Sequence, residues 1–359
     1  MTPRRQQRRL AVPAVLAVLA LLAVGCRGEG SSSSDDAAAP PEGAAGGGER
    51  PVQFTGAGKA RIFGAFTMPA TKAGESVPGV LVVPTAAGGD RNGLLGPTGV
   101  ADPLARDLAD AFKNAGLATY RYDQRGTGES KLEPDVRLSV DDLVADARAA
   151  LDVLAQRRET AGRDLSLVGY DQGGLVALKL AAVDDRVKRV VLISTPGRSL
   201  TEVRAAQLAE RYGPESADAL RALVGGLLAT RTLPPLDAMR TELRPLFPAQ
   251  EAAFLADLYG LDPAAEAAKV KVPTMIVAPA DPAPYEPPRL AAAIPGSQVV
   301  ASVGRGSALV ISGATPEDRS DPTSPAHEHG MTPPVATTQR DTAALDRMAR
   351  FLASPPRPG

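Results

Sequence analysis

The sequence contains no tryptophan, a single cysteine and two histidines among its 359 residues. One cysteine excludes an internal disulfide and any zinc site built from several cysteines. Imidazole is the side chain whose ordinary pKa suits a base near neutral pH, and the chain offers only His327 and His329. Any mechanism that needs an imidazole base must therefore recruit one of these two residues.

The chain also lacks an excess of charge of either sign. Lysine and arginine number 40 against 41 aspartates and glutamates, for a formal net charge of −1. This balance argues against a nucleic-acid partner. Hydrophobic residues make up 44% of the chain, which is enough for a buried core. Its length allows one large domain or two ordinary ones.

The first 25 residues have the pattern of a signal peptide. Four arginines precede an uncharged run over residues 10–24, which is short for a membrane span but suits a signal-peptide core. The run ends in Leu-Ala-Val-Gly-Cys26, which resembles the lipobox of bacterial lipoproteins. This pattern predicts cleavage after residue 25 and a lipid on Cys26 that attaches the protein, outside the cytoplasm, to a bacterial membrane. An ordinary signal peptide with an incidental cysteine is the alternative.

Residues 26–55 are predicted to form a flexible tether. Of the 25 residues over 27–51, 18 are glycine, serine, alanine or proline. Such a segment buries too little apolar area to offset the entropy lost on ordering. The folded part is therefore expected to begin at residue 56.

From residue 56 onward, apolar strands alternate with amphipathic helices. This alternation predicts an α/β fold, with a mostly parallel central sheet and helices on both faces. The pattern then becomes helical throughout, which predicts a helical cap inserted after about the sixth strand. The predicted boundaries are 56–198 and 269–353 for the core, 199–268 for the cap and 354–359 for a tail.

A turn between a predicted strand and a predicted helix has the strongest chemical signal. Gly169-Tyr170-Asp171-Gln172-Gly173 has the spacing of the G-x-S-x-G nucleophile elbow. Glycine at both flanking positions suits a tight turn with a strained central residue, and that residue here is Asp171. The alternative is a generic glycine-rich turn that binds a phosphate, although an aspartate disfavours an anion.

Several segments together resemble bacterial α/β-hydrolases of the esterase and serine-aminopeptidase-like branch. Residues 121–130, RYDQRGTGES, are similar to that branch's R-Y-D-x-R-G-x-G-x-S segment. Residues 90–93, DRNG, match its loop after the third strand. The resemblance covers about residues 56–353 and implies the α/β-hydrolase fold and a relationship to carboxylic-ester hydrolases. Within it, Asp123 and Arg125 are expected to be structural.

The resemblance also implies which positions would form a hydrolase site. The oxyanion hole would use the backbone amides of Ala86 or Ala87 and of Gln172. The triad positions would be Asp171 for the nucleophile, Asp281 for the acid and Ser307 for the histidine.

Two of these three triad positions are changed. A serine hydroxyl at position 307 cannot accept and return a proton near neutral pH as an imidazole does. The first hypothesis is therefore a non-catalytic member of the family that keeps a pocket for a small apolar or ester-like ligand. No cofactor, metal ion or nucleic acid is predicted to bind.

The alternative hypothesis is an active hydrolase of ester or epoxide-type substrates. Haloalkane dehalogenases and epoxide hydrolases use an aspartate nucleophile at the elbow, so Asp171 would attack and His327 or His329 would activate water. The lack of tryptophan disfavours a dehalogenase halide site, whereas the cap tyrosines Tyr212 and Tyr259 suit an epoxide hydrolase. The His-Glu-His segment could instead bind zinc or nickel, or form part of a solvated proline-rich loop.

Overall fold

The computed structural model describes residues 48–86, 88–93, 103–133, 136–248, 251–280, 285–304, 309–312 and 339–354. These residues belong to one compact unit, Ala44–Gly359. The predicted signal peptide and the C-terminal tail from residue 355 lie outside the described residues. The same holds for six of the predicted site residues: Cys26, Ala87, Asp281, Ser307, His327 and His329.

An eight-stranded sheet forms the centre of the fold, in the order β1-β2-β4-β3-β5-β6-β7-β8. Its strands are β1 (Glu49–Thr55), β2 (Arg61–Thr67), β3 (Gly79–Val83), β4 (Ala118–Tyr122), β5 (Leu165–Tyr170), β6 (Val187–Ile193), β7 (Thr274–Ala278) and β8 (Gln298–Ala301). The β1/β2 and β2/β4 pairs are antiparallel and the others are parallel. The predicted mostly parallel sheet is confirmed. A separate antiparallel pair joins β9 (Val310–Ser312) to β10 (Gln339–Arg340).

The sheet begins earlier than the composition indicates. Residues 49–55, assigned above to the tether, form β1 and pair with β2 along their whole length. Phe54 contacts the rings of Tyr120 and Tyr122 edge-on, at centroid distances of 6.0 and 5.9 Å. The tether boundary at residue 55 is therefore wrong. Pairing with β2 and aromatic contacts with β4 order this strand, although the composition of the segment around it does not indicate one.

Nine α-helices surround the sheet in the described residues: α1 (Leu104–Asn114), α2 (Val140–Gln156), α3 (Gly173–Ala181), α4 (Leu200–Tyr212), α5 (Pro214–Thr230), α6 (Ala252–Tyr259), α7 (Pro263–Ala267), α8 (Pro287–Ala293) and α9 (Thr342–Ala353). Side chains cap several of their starts. At α2 the Ser139 hydroxyl accepts a hydrogen bond from the Asp142 amide at 3.1 Å, and the Asp142 carboxylate accepts one from the Ser139 amide at 3.0 Å. The Asp341 carboxylate likewise accepts from the Ala344 amide at the start of α9.

Each face of the sheet packs against its own hydrophobic cluster. One cluster joins the sheet to α2, α3 and the cap, with Leu151, Leu167 and Leu178 fully buried. The other joins it to α1 and α9, with Leu108 and Met348 fully buried. Helices on both faces are therefore confirmed. This arrangement explains why the central strands are apolar throughout.

The helical cap follows β6, as the sequence predicts. Helices α4 to α7 all lie between β6 and β7. Leu208, Leu220 and Leu227 are buried in the same cluster as α3, so the cap shares one core with that side of the sheet. In the part of the chain described, no helix combines the length and apolarity needed to cross a bilayer.

Two loops beside the sheet are held together by a buried ion pair. The Asp123 carboxylate accepts hydrogen bonds from Arg91 Nε at 2.9 Å, Arg91 Nη2 at 2.6 Å and the Glu129 amide at 2.8 Å. Arg121, which is also buried, donates to the Arg91 carbonyl at 2.9 Å and pairs with Glu49 on β1. These bonds fix the turn after β4, so the structural role expected for Asp123 is confirmed.

Arg125 is structural in the same way. Its Nε donates to Asp146 Oδ2 at 3.0 Å, and a second guanidinium nitrogen donates to Oδ1. Both side chains are almost fully buried. Asp146 also accepts from the Ala57 amide at 2.7 Å, and Arg125 donates to the Ala57 carbonyl at 2.9 Å. The pair therefore ties α2 to the turn between β1 and β2.

Candidate functional site

Asp171 stands in a sharp turn between β5 and α3. Its backbone has φ +49°, in the left-handed region that side-chain-bearing residues rarely adopt. The turn is held on both sides: the Asp171 amide donates to the Ile193 carbonyl at 2.9 Å, and the Gly174 amide donates to the Asp171 carbonyl at 3.1 Å. A strained central residue held by its surroundings is the backbone arrangement of a nucleophile elbow.

Packing requires the two glycines that frame this turn. A Cβ atom on Gly169 would lie 2.6 Å from Gly174 Cα, and one on Gly173 would lie 2.3 Å from the Pro84 carbonyl oxygen. Both distances are far below van der Waals contact and involve backbone atoms. The close approach of α3 to the ends of β3 and β5 thus explains the glycine spacing seen in the sequence.

The Asp171 carboxyl has weak hydrogen-bonding partners. Thr85, in the loop after β3, donates its hydroxyl to Asp171 Oδ2 at 3.4 Å, long for an O–H···O bond. Asp171 as a whole residue keeps partial exposure, yet desolvation of its carboxyl raises its pKa. The positive charge of Arg204, the Thr85 hydroxyl and the Gln172 backbone oppose that rise. No guanidinium or ammonium forms an ion pair with Asp171 among the described residues.

The predicted oxyanion positions lie around this carboxyl. The Gln172 backbone, whose amide was expected to stabilise an oxyanion, lowers the pKa of the Asp171 carboxyl and so opposes the rise caused by burial. Ala86 is buried, and its carbonyl accepts from Gln124 Nε2 at 3.2 Å. Gln172 itself is 3% exposed, and its side-chain Oε1 has no hydrogen-bond donor within the described part of the chain. A carboxylate at position 171 therefore already interacts with one amide that a serine hydrolase reserves for substrate.

The loops expected to hold the acid and the histidine run side by side. The Ser302 amide donates to the Ala278 carbonyl at 2.8 Å, and the Ala280 amide donates to the Gly304 carbonyl at 2.8 Å. Asp281 and Ser307 follow these segments and lie outside the described residues, so their side chains are not placed. The described backbone does bring the two loops together at the ends of β7 and β8.

Two further sequence hypotheses also concern residues outside the described ranges. His327 and His329 were candidates for the base, and with Glu328 for a metal site. Within the described ranges no three or more His, Cys, Asp or Glu side chains are grouped as they would be around a metal ion.

The two cap tyrosines occupy different environments. Tyr259 on α6 is buried and stacks on Phe247 at a centroid distance of 5.3 Å. Burial raises the pKa of Tyr259 to about 12, against the charge of Arg204. Tyr212 ends α4, is 48% exposed and lies under the Arg211 guanidinium. Of the pair considered for an epoxide hydrolase, only Tyr259 therefore lies in the interior.

Sequence reasoning missed Thr85 and Arg204. Thr85 lies in the loop of small residues after β3, for which the sequence predicted a role only for the backbone amides of Ala86 or Ala87. Arg204 is one of many arginines in the cap, and neither its position on α4 nor its neighbours distinguish it. Its approach to Asp171 depends on how the cap packs over the sheet, which no local pattern encodes.

The region around the elbow matches a known family. A family model described as serine aminopeptidase, S33, matches residues 103–234, a segment that includes the elbow and the first two cap helices. A solved structure, that of DcsB in complex with its substrate analogue, superposes with a TM-score of 0.53 at 17% identity. The superposition covers 85% of this chain and 98% of that one. The chain has the α/β-hydrolase fold.

Curated relatives of this α/β-hydrolase-fold protein match it over shorter segments. The uncharacterized protein PA2218 of Pseudomonas aeruginosa is 32% identical over 126 residues, 34% of either chain. The "Putative carbamate hydrolase RutD" of Variovorax paradoxus is 38% identical over 85 residues, 23% of this chain and 30% of its own. The chain thus spans about a third of the length of the curated relatives it matches. These matches support an esterase-like or hydrolase-like family.

Proposed function

We propose that this protein binds a ligand in the pocket between sheet and cap and does not catalyse serine-type ester hydrolysis. The observation that carries the proposal is the elbow itself, because its strained backbone and glycine frame are intact while its central side chain is Asp171. A serine nucleophile is absent at that position, and the sequence has Ser307 where the family has its base. The protein keeps the architecture of the site without the groups of its standard mechanism.

The environment of the Asp171 carboxyl supports the proposal that the protein does not catalyse serine-type ester hydrolysis. Burial raises the pKa of this carboxyl, and the Gln172 backbone acts against that rise. An amide that interacts with Asp171 competes with the charge stabilisation that an acyl-transfer transition state needs. This competition lowers the expected rate of serine-type ester cleavage at this site.

The second candidate is a hydrolase that uses Asp171 as its nucleophile. It is favoured by one observation, the retention of an elbow that presents a carboxyl at the nucleophile position. The aspartate would attack the saturated carbon bonded to the ester or epoxide oxygen, forming an alkyl-enzyme ester as that C–O bond breaks and its oxygen leaves as a carboxylate or, from an epoxide, as an alkoxide that takes up a proton. Water activated by His327 or His329 would then hydrolyse that ester.

We further propose that the protein acts outside the cytoplasm, attached to a bacterial membrane by a lipid on Cys26. The arginine-led apolar run that ends at Cys26 supports this location. Labelling of the full chain with a radioactive fatty acid in a bacterial host tests it. Label on the native chain that is lost in Cys26→Ala is the expected result, and an unlabelled native chain would contradict it.

A panel of esters and epoxides tests the proposed function against its rival. The purified native protein is compared with Asp171→Ala and with the double variant Asp171→Ser, Ser307→His. The proposal expects no turnover by the native protein, and esterase activity gained by the double variant would strengthen it. Turnover by the native protein that vanishes in Asp171→Ala would overturn it and establish the aspartate nucleophile.

A further inference from the structure

The chain enters the sheet at the end opposite the elbow. Register along neighbouring strands aligns Glu49, at the start of β1, with Thr67, Thr119, Val80 and Ser166 in turn. Ser166 stands near the start of β5, whereas Asp171 follows the end of that strand. At about 3.3 Å per residue, β5 separates the two ends of the sheet by about 20 Å. The segment that precedes β1 therefore joins the fold on the side away from Asp171.

Ion pairs and hydrogen bonds join the loops at this end of the sheet into one surface, called here the amino face. Arg50 on β1 pairs with Glu159 at 3.6 Å, and the Glu159 carbonyl accepts from the Val77 amide at 2.8 Å. The Asp164 carboxylate, before β5, pairs with Arg189 on β6 at 3.1 Å. The amino face comprises residues 69–78, 157–164, 184–188 and 269–273.

Unpaired cations outnumber unpaired anions on the amino face. Five of its lysines and arginines are exposed and have no carboxylate within 4.0 Å among the described residues: Lys72, Arg158, Arg163, Lys188 and Lys271. Exposed carboxylates without a cation partner in the same ranges are Glu75 and Asp185. The net charge of the whole chain is −1, so this positive excess is local. The amino face is thus complementary to an anionic surface.

The length of chain before β1 limits which face can lie near an anchor at Cys26. About 22 residues connect Cys26 to Gly48, the first described residue. A linker rich in glycine and serine has an end-to-end distance of about 25 Å at that length. A compact unit of about 300 residues is about 50 Å across. The amino face is therefore within reach of the anchor, whereas bringing the elbow to the bilayer requires the linker to extend around the unit.

We propose that the amino face rests on an anionic phospholipid surface and that the elbow faces away from the bilayer. The inference rests on the proposed lipid attachment at Cys26 and adds an orientation to it. Headgroup phosphates would pair with the unpaired guanidinium and ammonium groups of the face. The orientation also specifies the source of the ligand, because a pocket turned away from the bilayer takes its ligand from the aqueous phase.

A fluorescent label at either end of the sheet tests this orientation. Ala161→Cys puts the label on the amino face, and Val303→Cys puts it after β8 at the opposite end, where the side chain is 69% exposed. A lipid on Cys26 leaves the introduced cysteine as the only free thiol, and labelling of the native chain checks this. The anchored chains are reconstituted into vesicles of phosphatidylcholine with or without phosphatidylglycerol, with a nitroxide quencher on some headgroups.

Quenching at position 161 is expected to exceed quenching at position 303 several-fold in the vesicles that contain phosphatidylglycerol. The excess should be much smaller in phosphatidylcholine alone, which offers no net negative charge. It should also shrink in about 1 M salt, where the Debye length falls to about 3 Å.

Charge removal assigns the effect to residues of the amino face. Arg163→Gln combined with Lys271→Gln should weaken the preference for this face about 25-fold, since each cation near an anionic surface contributes about fivefold. Quenching at position 161 should then approach that at position 303. Lys131→Gln combined with Arg137→Gln is the matched control, because both residues are exposed, lack a carboxylate partner among the described residues and follow β4 at the other end of the sheet. Circular dichroism melting confirms that each variant folds.

The outcomes separate this inference from the lipid attachment on which it rests. Equal quenching at the two positions in phosphatidylglycerol vesicles, or stronger quenching at position 303, would overturn the orientation while leaving the anchor in place. A chain that floats only with phosphatidylglycerol vesicles, quenched more at position 161, would contradict the lipid on Cys26 and support the amino face. A chain that floats with neither vesicle type would overturn both. The ester and epoxide panel tests the pocket independently.

Discussion

Aspartates in two regions of this molecule have opposite surroundings. Asp123, which follows β4, and Asp146, on α2, each accept hydrogen bonds from an arginine and from the backbone. At the elbow, Asp171 accepts a hydroxyl at 3.4 Å and has no ion-pair partner among the described residues. Where a carboxylate connects separate segments of the fold, as Asp123 and Asp146 do, an arginine guanidinium pairs with it. A carboxylate without one is a group available to a ligand or a reaction.

The largest effect is expected from breaking the scaffold pair. Asp146→Ala leaves the Arg125 guanidinium buried without its counter-charge and removes the acceptor of the Ala57 amide. The free energy of unfolding should fall by about 3–5 kcal/mol, as for other broken buried pairs. Urea unfolding followed by circular dichroism measures it. A loss below about 1 kcal/mol would mean that this pair resembles a surface pair.

The next effect concerns the glycine frame of the elbow. Gly173→Ala forces a methyl group against the Pro84 carbonyl oxygen and should lower the free energy of unfolding by about 1–3 kcal/mol. Gly225→Ala is the matched control, because no atom lies within 4 Å of its added Cβ in the exposed middle of α5. That variant should gain about 0.5–1 kcal/mol. Equal effects of the two substitutions would show that the elbow tolerates a side chain.

A smaller effect, of opposite sign at Asp171 and at Asp184, is expected when an aspartate is neutralised. Because the pKa of Asp171 is raised on folding, its ionisation opposes folding at pH values above the raised pKa. Asp171→Asn should therefore raise the melting temperature at pH 7, and the gain should disappear below the ordinary aspartate pKa. Asparagine also tolerates the left-handed backbone.

Asp184 provides the matched comparison for this titration. Hydrogen bonds from Arg186 lower the pKa of its carboxyl, so its ionised form stabilises the fold. Asp184→Asn should lower the melting temperature at pH 7, and this loss should shrink as the pH falls through the lowered pKa. Melting curves of Asp171→Asn and Asp184→Asn across the acid range distinguish the two expected pH dependences. Changes of the same sign in both variants would remove the contrast between them.

The smallest effect is expected at the surface of the cap. Asp218 is largely exposed and pairs with Arg221 at 3.0 Å on α5. Asp218→Ala should change the free energy of unfolding by less than about 0.5 kcal/mol, since exposed pairs contribute little. Urea unfolding of this variant and of Asp146→Ala compares how much an exposed carboxylate and a buried one contribute to the free energy of unfolding. A change above about 1 kcal/mol would show that this ion pair is not screened by solvent.

Much of the fold follows from local pattern. Apolar runs alternating with amphipathic segments predicted the mostly parallel sheet, the helices on both of its faces and the helical cap after about the sixth strand. The composition of the tether did not indicate β1. That strand is ordered by pairing with β2 and by contacts with Tyr120 and Tyr122, which no pattern within the strand predicts. The β9/β10 pair joins segments far apart in the chain and has no local signal.

By itself, the sequence determined the alternating α/β architecture, the cap after the sixth strand and an elbow whose central residue is an aspartate. These features depend on residue types at fixed short spacings, which the periods of helix, strand and turn make readable. The structural role of Asp123 and Arg125 was expected from the sequence, but only the tertiary structure decided that their partners are Arg91 and Asp146 and that Asp171 has no ion-pair partner among the described residues. It also decided that Arg204 approaches the elbow and that Tyr259, but not Tyr212, lies inside. Each of these depends on contacts between distant segments, where packing and desolvation, rather than spacing, determine which charges meet.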